Sequence, residues 1–363
     1  SSFDFAQILG NSPLGRSVYS ATGSVGPIAS GRLSYVLGLH GPCSMIDTAC
    51  SAGLVATSFA RAALVLRESD TANVMAVNLI LSPNGAHTPF AIAGLTSATG
   101  KCHTFDKHTD GYARSEACGA SVLQTTVSEV KALVMLEGSA VRCDGKSASL
   151  TAPNGQAQRQ VISAALAIAQ ASALTLVLME AHGTGTALGD PMEMGSVTAV
   201  ILRDRNAEAA PMAVGSMKAN AGHSEPGAGF SGLLKLAIGL ARGDHAPNAQ
   251  LRAVNPHVGS TLHGIICVLP VQAGGLAFEA QLRAGGVNSF GYSGTIAHAV
   301  VRHSKSSSDR KLLSGAPLHY RREAFPWLPH DVAHSSKPVL ATYSTSWIRL
   351  PEVLVPRGTR HSA

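Results

Sequence analysis

Short runs of apolar and β-branched residues, closed by Gly, Pro, Asn or Asp, recur along the first three hundred residues. They alternate with longer segments that are apolar on almost every face. The short runs predict strands over residues 43–48, 74–81, 132–141, 175–181, 213–218, 264–269 and 297–301. The long Ala- and Leu-rich segments predict helices over residues 51–67, 156–172, 190–204 and 227–242. A helix without a polar face is one buried between layers. Alternation of the two kinds predicts a layered α/β fold.

Beyond Val301 the pattern stops. Residues 303–310 are rich in Ser and Lys and carry no hydrophobic period, which is linker composition. The aromatic-bearing HYRREAFPWLP (319–329) suits a neighbouring surface, and residues 335–363 contain Pro and Gly without a clear helix. No short internal repeat occurs.

Composition narrows the class. The chain has 363 residues, 45% hydrophobic and only 14% charged, which fits a well-buried globular enzyme. Its 37 glycines follow no fixed period, so they mark turns and close backbone approaches. The net charge of +6 favours acidic partners. The basic residues are scattered without interleaved aromatics, which speaks against nucleic acid. No apolar run is long enough to span a bilayer and no secretory signal opens the chain. The six cysteines form no CxxC pair, so the expected setting is reduced and intracellular, cytoplasmic in the simplest case, with an organelle left open. A start at Ser1 rather than Met reads as a piece cut from a longer protein.

Four blocks carry candidate chemistry. In DTACSAG (47–53) a cysteine, Cys50, sits where an apolar run enters an apolar helix. Unpaired N–H groups and the helix dipole at such a place stabilise a thiolate, and the same N–H groups can hold an acyl oxyanion. The alternative is a small buried core cysteine. MEAHGTGTALGDPME (179–193) places His182 at a strand end, followed by Gly183 and Gly185 for close backbone approach and Thr184 and Thr186 with their hydroxyls. The Walker lysine is absent, so this is no phosphate loop. GSMKANAGHSEPGAG (215–229) again ends a strand, at Lys218, and carries His223 towards a helix. Either histidine alone is more simply structural; on matching turns beside a candidate thiolate they point to one site. GGVNSFGYSGTIAHAVV (285–301) surrounds Phe290 and Tyr292 with glycines and serines, as a ligand-closing loop or a plain hairpin would. Cys102 and His103 lack a second ligand pair at metal spacing, so no metal is expected.

Taken together, in this order, the blocks resemble the β-ketoacyl synthase family, specifically the ketosynthase domains of polyketide synthases. The likeness runs roughly from Phe3 to Val301. It implies the thiolase-like fold, α/β, with two similar α/β/α halves in five layers, in a homodimer. It implies that Cys50 accepts an acyl group from the phosphopantetheine of an acyl carrier protein. His182 and His223 would then promote decarboxylation of a malonyl-type thioester, whose enolate attacks the acyl-cysteine to give a 3-ketoacyl thioester. This is the acyltransferase chemistry of polyketide and fatty-acid-like synthesis. Lys218 would orient the His223 region. The N–H groups of Cys50 and Tyr292 would form the oxyanion hole. Thr184 and Thr186 would hold the pantetheine arm, with Phe290 and Gly291 also lining the substrate. No bound cofactor is implied.

The likeness sets the domain expectation: a ketosynthase over residues 1–303, a linker over 304–334, and a tail over 335–363 that resembles the start of a following domain. FDKHTDGYARSE (105–116) resembles a family loop, HYRREAFPW (319–327) the linker after ketosynthases, and YSTSWIRLP (343–351) a following reductive region. Adjacent polyketide synthase domains are therefore expected partners.

Some residues depart from the pattern. Residues 1–39 align with the stretch just before the nucleophile, so the N-terminal half is expected to be incomplete and the chain marginally stable when expressed alone. The family has Gly where Ser115 and Ala117 stand, Asn where Ile296 stands, and commonly Ser where Ala52 and Gly53 stand; strain at the first two is expected. Two other readings stand beside an elongating ketosynthase. One is a decarboxylating or acyl-transferring relative that no longer condenses, and the other is a non-catalytic fragment with a structural or interaction role.

Overall fold

The computed structural model describes residues 2–10, 18–81, 87–125, 132–205, 211–276, 282–304, 322–324 and 343–345. The chain divides into a unit over Ser1–Asp309 and another over Arg310–Ala363. The first unit begins with three helices, α1 (Ser2–Gly10), α2 (Ser20–Ser24) and α3 (Gly26–Leu37). Hydrophobic period does not mark α3 because it buries no residue; its signals are Pro27 in the first turn and the left-handed Gly38 cap. Then come α4 (Ala52–Val65), β1 (Thr71–Asn78), α5 (His87–Ile92) and β2 (Ala117–Gln124). The strands pair antiparallel, Thr71 opposite Gln124.

The rest of the unit comprises β3 (Met135–Cys143), α6 (Gly155–Ala169), β4 (Leu176–Glu180), α7 (Gly189–Val197), β5 (Met212–Gly215), α8 (Lys218–Ala221) and α9 (Ala228–Arg242). It closes with β6 (Asp244–His245), α10 (Pro256–Thr261), β7 (Cys267–Val268), β8 (Gly274–Gly275), β9 (Leu282–Phe290) and β10 (Thr295–Ser304). In the second unit, β11 (Arg322–Ala324) and β12 (Tyr343–Thr345) pair antiparallel. The remainder of the expected linker and tail lies outside the described residues.

Six strands form the central sheet in the order β3-β10-β9-β4-β5-β7. β10 runs antiparallel to both neighbours, whereas β9, β4, β5 and β7 are parallel. Side-chain alternation sends each strand's residues to two cores. Along β10, Ile296 and Val300 join the cluster under α6 and α7, with Val161, Ile162 and Met194. Ala297, Ala299 and Val301 join the opposite cluster, with Leu54 of α4 and Leu236 and Leu240 of α9. The far side of α9 meets the β1–β2 sheet through Phe230, Val74 and Ala76. Helix α9 is thus buried between two sheets, which is why its sequence is nearly apolar all round, whereas α4 leaves Phe59 and Val65 exposed. This is thiolase-like layering, with α4, β1 and β2 as the N-terminal half's contribution.

Small residues set the close approaches. A Cβ at Gly229 would lie 2.7 Å from Ser289 Cβ, so α9 packs directly on β9. A Cβ at Gly53 would lie 2.8 Å from Phe230 Cβ and 3.0 Å from Pro226 O. Gly53→Ser should therefore destabilise the fold by about 1–3 kcal/mol, measured as a lower midpoint of denaturant unfolding with an unchanged slope.

The outer face of β1–β2 is apolar and exposed at Met75, Val77 and Val122, and α3 exposes Tyr35 and Val36. Apolar surface of this kind promotes association. The chain expressed alone is expected to bind a hydrophobic dye and to associate as concentration rises; a dye-silent monomer that melts cooperatively would contradict this.

Several sequence expectations need correction. Residues 43–48 form no strand, because no neighbouring strand offers them a ladder among the described residues. The strand expected to end at Lys218 ends at Gly215, and Lys218 opens α8, as the bond from Asn220 N to Met217 O requires. The helix expected over 190–204 is α7 followed by a π-helical turn, Thr198–Leu202. Of the two readings left open for the Gly-rich block at 285–301, the hairpin is the one found, as β9 and β10. Ser115 and Ala117 have no left-handed backbone, so the strain expected of them is absent. Ile296 is fully buried in the core, where an apolar side chain belongs.

Candidate active site

Cys50 sits on a tight turn just ahead of α4. Ala49 adopts φ 55°, a left-handed conformation that costs a non-glycine residue about 1–2 kcal/mol. The turn is held from several sides. Ala49 N donates to Asp47 Oδ1 at 3.1 Å, Ser51 Oγ to Thr48 O at 2.9 Å, and Ser289 Oγ to Cys50 O at 2.7 Å. Gly291, in the β9–β10 turn, packs so tightly that a Cβ there would lie 2.4 Å from Thr48 O.

The thiol's electrostatics differ from the thiolate expected of a helix N-terminus. Burial pushes the Cys50 thiol up to about 11, outweighing the Lys218 charge and the N–H groups of Tyr292 and Cys50 itself, which favour the thiolate. Cys50 therefore rests as a neutral thiol. Its alkylation by iodoacetamide should rise about tenfold per pH unit from pH 7 towards 10, following the thiolate fraction. A plateau already reached near neutral pH would reveal a resting thiolate instead.

His182 follows β4, and His223 lies between α8 and the short turn that opens α9. Their rings meet edge to face with centroids 5.9 Å apart. Phe290 N donates to His182 Nδ1 at 3.2 Å, and Glu225 N donates to His223 Nδ1 at 2.8 Å. A ring nitrogen that accepts an N–H carries no proton, so each neutral imidazole bears its hydrogen on Nε2. Burial, aided by Lys218, holds both histidines well below their usual range. His223 Nε2 is buried without a hydrogen-bond partner. The result is a pair of uncharged donors fixed by backbone amides.

A polar frame holds them. Glu193 of α7 accepts from His182 N at 2.6 Å, Gly183 N at 2.8 Å and Asn288 Nδ2 at 2.8 Å. Lys218 Nζ donates to His182 O at 2.6 Å. Asp190 accepts from Phe105 N and Gly185 N, and burial raises it to about 7. On the other side Arg114 clamps Glu225 with two bonds, of 2.6 and 3.0 Å, and the Tyr112 ring lies 4.7 Å from that of His223.

The structure brings Cys50, His182, Lys218 and His223 together with the 291–294 turn. The Tyr292 N–H reaches the Cys50 thiol, while its ring stacks edge-on against Phe90. Phe290 packs 5.5 Å from His182. Thr184 and Thr186 bond to each other through their hydroxyls at 3.0 Å. Cys102 is buried and bonds to the Ala113 backbone, and no metal-binding cluster occurs among the described residues. Among these residues, too, no helix is long and apolar enough to cross a membrane. Sequence reasoning missed Glu193, Asn288, Tyr112, Arg114 and Glu225 as site residues. Their signal lay in the quoted blocks, but Glu193 meets Asn288, and Arg114 meets Glu225, only across 95 and 111 residues of chain.

Comparison with known proteins places the chain in a family. The β-ketoacyl synthase N-terminal domain matches residues 6–128, and the C-terminal domain matches residues 133–252. The chain is 38% identical over 296 residues to a phenolphthiocerol/phthiocerol polyketide synthase of Mycobacterium tuberculosis, covering 80% of this chain and 16% of that protein. It is also 38% identical over 295 residues to erythronolide synthase EryA3 of Saccharopolyspora erythraea, covering 80% of this chain and 9% of that protein. The ketosynthase from module 6 of the bacillaene synthase of Bacillus subtilis superposes with a TM-score of 0.73 at 31% identity, over 78% of this chain and 51% of that one. The chain thus spans less than a fifth of these curated relatives and about half of the solved ketosynthase. It has their thiolase-like fold, and it belongs to the β-ketoacyl synthase family as a ketosynthase domain of the polyketide synthase type.

Proposed function

We propose that this ketosynthase performs a decarboxylative Claisen condensation between an acyl group on Cys50 and a malonyl-type thioester carried on the phosphopantetheine of an acyl carrier protein. The observation that carries the reading is the pair of neutral imidazoles, one of whose Nε2 atoms is buried and unpartnered beside the cysteine turn.

In the first half-reaction the Cys50 sulfur attacks the acyl thioester carbon. The new C–S bond replaces the old one, and the pantetheine thiol leaves with the cysteine's proton. The N–H groups of Cys50 and Tyr292 bind the oxyanion. In the second half the bond to the malonyl carboxylate breaks and releases CO₂. Its electron pair forms an enolate whose oxygen accepts from His182 Nε2 and His223 Nε2. The enolate carbon attacks the Cys50 thioester, the C–S bond breaks, and the 3-ketoacyl group stays on the carrier. Cys50 then regains a proton. Phe290 and Gly291 line the acyl path, and Thr184 and Thr186 exchange their mutual bond for the pantetheine amides. Lys218 positions His182 through its carbonyl.

The ketosynthase is assigned residues 1–303, with a linker over 304–334 and a following tail, and it acts as a homodimer beside other synthase domains. Incubation with an acyl thioester and then a malonyl carrier thioester should give a 3-ketoacyl product by mass spectrometry. Release of CO₂ without that product would favour a decarboxylating relative, and absence of both would favour a non-catalytic domain. The exposed face of β1–β2 is what lends the latter its interest.

A further inference from the structure

One basic feature lies outside the site described. At the end of β3 and the first turns of α6 is a groove of about 550 Å³ lined by Arg142, Gln156, Arg159, Gln160 and Ser163. No acidic side chain lines it, and α6 carries none along its length. Neither arginine makes an ion pair among the described residues; Arg142 donates only to the neighbouring Val141 O. Two unpaired guanidinium groups in one groove mutually repel and attract anionic surface.

The groove is joined to the active site by short links. Asn154 caps α6 by accepting from Gln156 N and Ala157 N, and its Nδ2 donates to Asp144 O at 2.7 Å. Asp144 N donates to Gly294 O at 2.8 Å, and Cys143 pairs with Thr295 across β3 and β10. Gly294 closes the same turn whose Tyr292 N–H reaches the Cys50 thiol. A partner seated in the groove would therefore sit beside the turn that borders the nucleophile.

We infer that this groove docks the acidic face of the carrier protein, with Arg142 and Arg159 pairing with its surface carboxylates. The inference rests on the carrier-dependent reading above. Docking of this kind sets encounter and local concentration rather than the chemistry at Cys50.

The test uses the full chain and a carrier domain excised from a polyketide synthase, in apo and phosphopantetheinylated forms. Binding is followed by fluorescence anisotropy at low and high salt. The apo and holo carriers should bind equally and both should weaken with salt. Arg142→Glu with Arg159→Glu should weaken binding about tenfold or more, and the Gln pair should weaken it less. Arg203→Glu, exposed and outside the groove, should leave binding unchanged. In acyl transfer, the double reversal should raise KM for the carrier-borne acyl group and leave kcat, and loading from a free pantetheine thioester, unchanged. Unaltered affinity in the folded double variant would overturn the inference, as would binding only by the holo carrier or no binding to the unmodified chain. Failure of Cys50 to load from the free thioester would instead strike the proposed chemistry, since that step bypasses the groove.

Discussion

Cys50→Ala is expected to abolish covalent loading by a short acyl thioester, by about four orders of magnitude in rate, while leaving decarboxylation of a malonyl thioester in place. The two halves of the reaction use different atoms. Loading needs a sulfur on the turn formed by Ala49, Cys50 and Ser51, whereas decarboxylation needs only the two Nε2–H donors. Of the six cysteines, Cys50 is the one whose thiol the Tyr292 N–H reaches. Peptide mapping after incubation should place the acyl group on Cys50 alone. Label on the exposed Cys43 or Cys118 that persists in Cys50→Ala would show ordinary thiol exchange and remove Cys50 from its role.

The second large effect concerns the histidines. His223→Ala should lower decarboxylation about 10²–10³-fold, the usual loss for one oxyanion donor. His182→Ala should cost a similar amount, since each substitution removes one donor and frees one backbone N–H, that of Phe290 for His182 and that of Glu225 for His223. Loading of Cys50 should fall far less in both variants, so the loss appears in kcat for condensation. The pH sign follows from burial. Both imidazoles are held well below their usual range, so the neutral form persists as pH falls and protonation begins only in clearly acidic solution. Decarboxylation should consequently be flat from about pH 8 down to about pH 6, while loading falls over the same range with the thiolate fraction of Cys50. A decarboxylation rate that halves through the ordinary histidine range would contradict neutral donors.

The site was more legible in the sequence than the fold around it. Cys50, His182 and His223 each lie in a short block whose glycines and flanking apolar runs announce a turn between elements. Local pattern suffices there. It misled where a strand depends on distant partners: residues 43–48 look like β1 in composition but have no ladder among the described residues. At β9 composition left loop and hairpin open, and Gly285 and Gly286 lie in a buried strand between β10 and β4. Helix α3 left no period because it buries nothing. The thiolate expected from the helix N-terminus fails for an energetic reason: desolvation of the sulfur exceeds what nearby N–H groups and Lys218 return. No local pattern reports how deeply a group will be buried. Asn288 illustrates the same limit, since it reaches Glu193 across 95 residues of chain.

The most direct test is a single-turnover condensation. The chain is first loaded with a short acyl group on Cys50, freed of excess thioester, and then given a malonyl carrier thioester. Mass spectrometry follows the Cys50 peptide and the carrier together. The acyl group should leave Cys50 as a 3-ketoacyl group appears on the carrier, in equal amounts, and His223→Ala should halt this with the acyl group still on Cys50. An acyl-Cys50 that only hydrolyses, with no 3-ketoacyl carrier formed by the folded chain, would contradict the proposal that this ketosynthase makes carbon–carbon bonds.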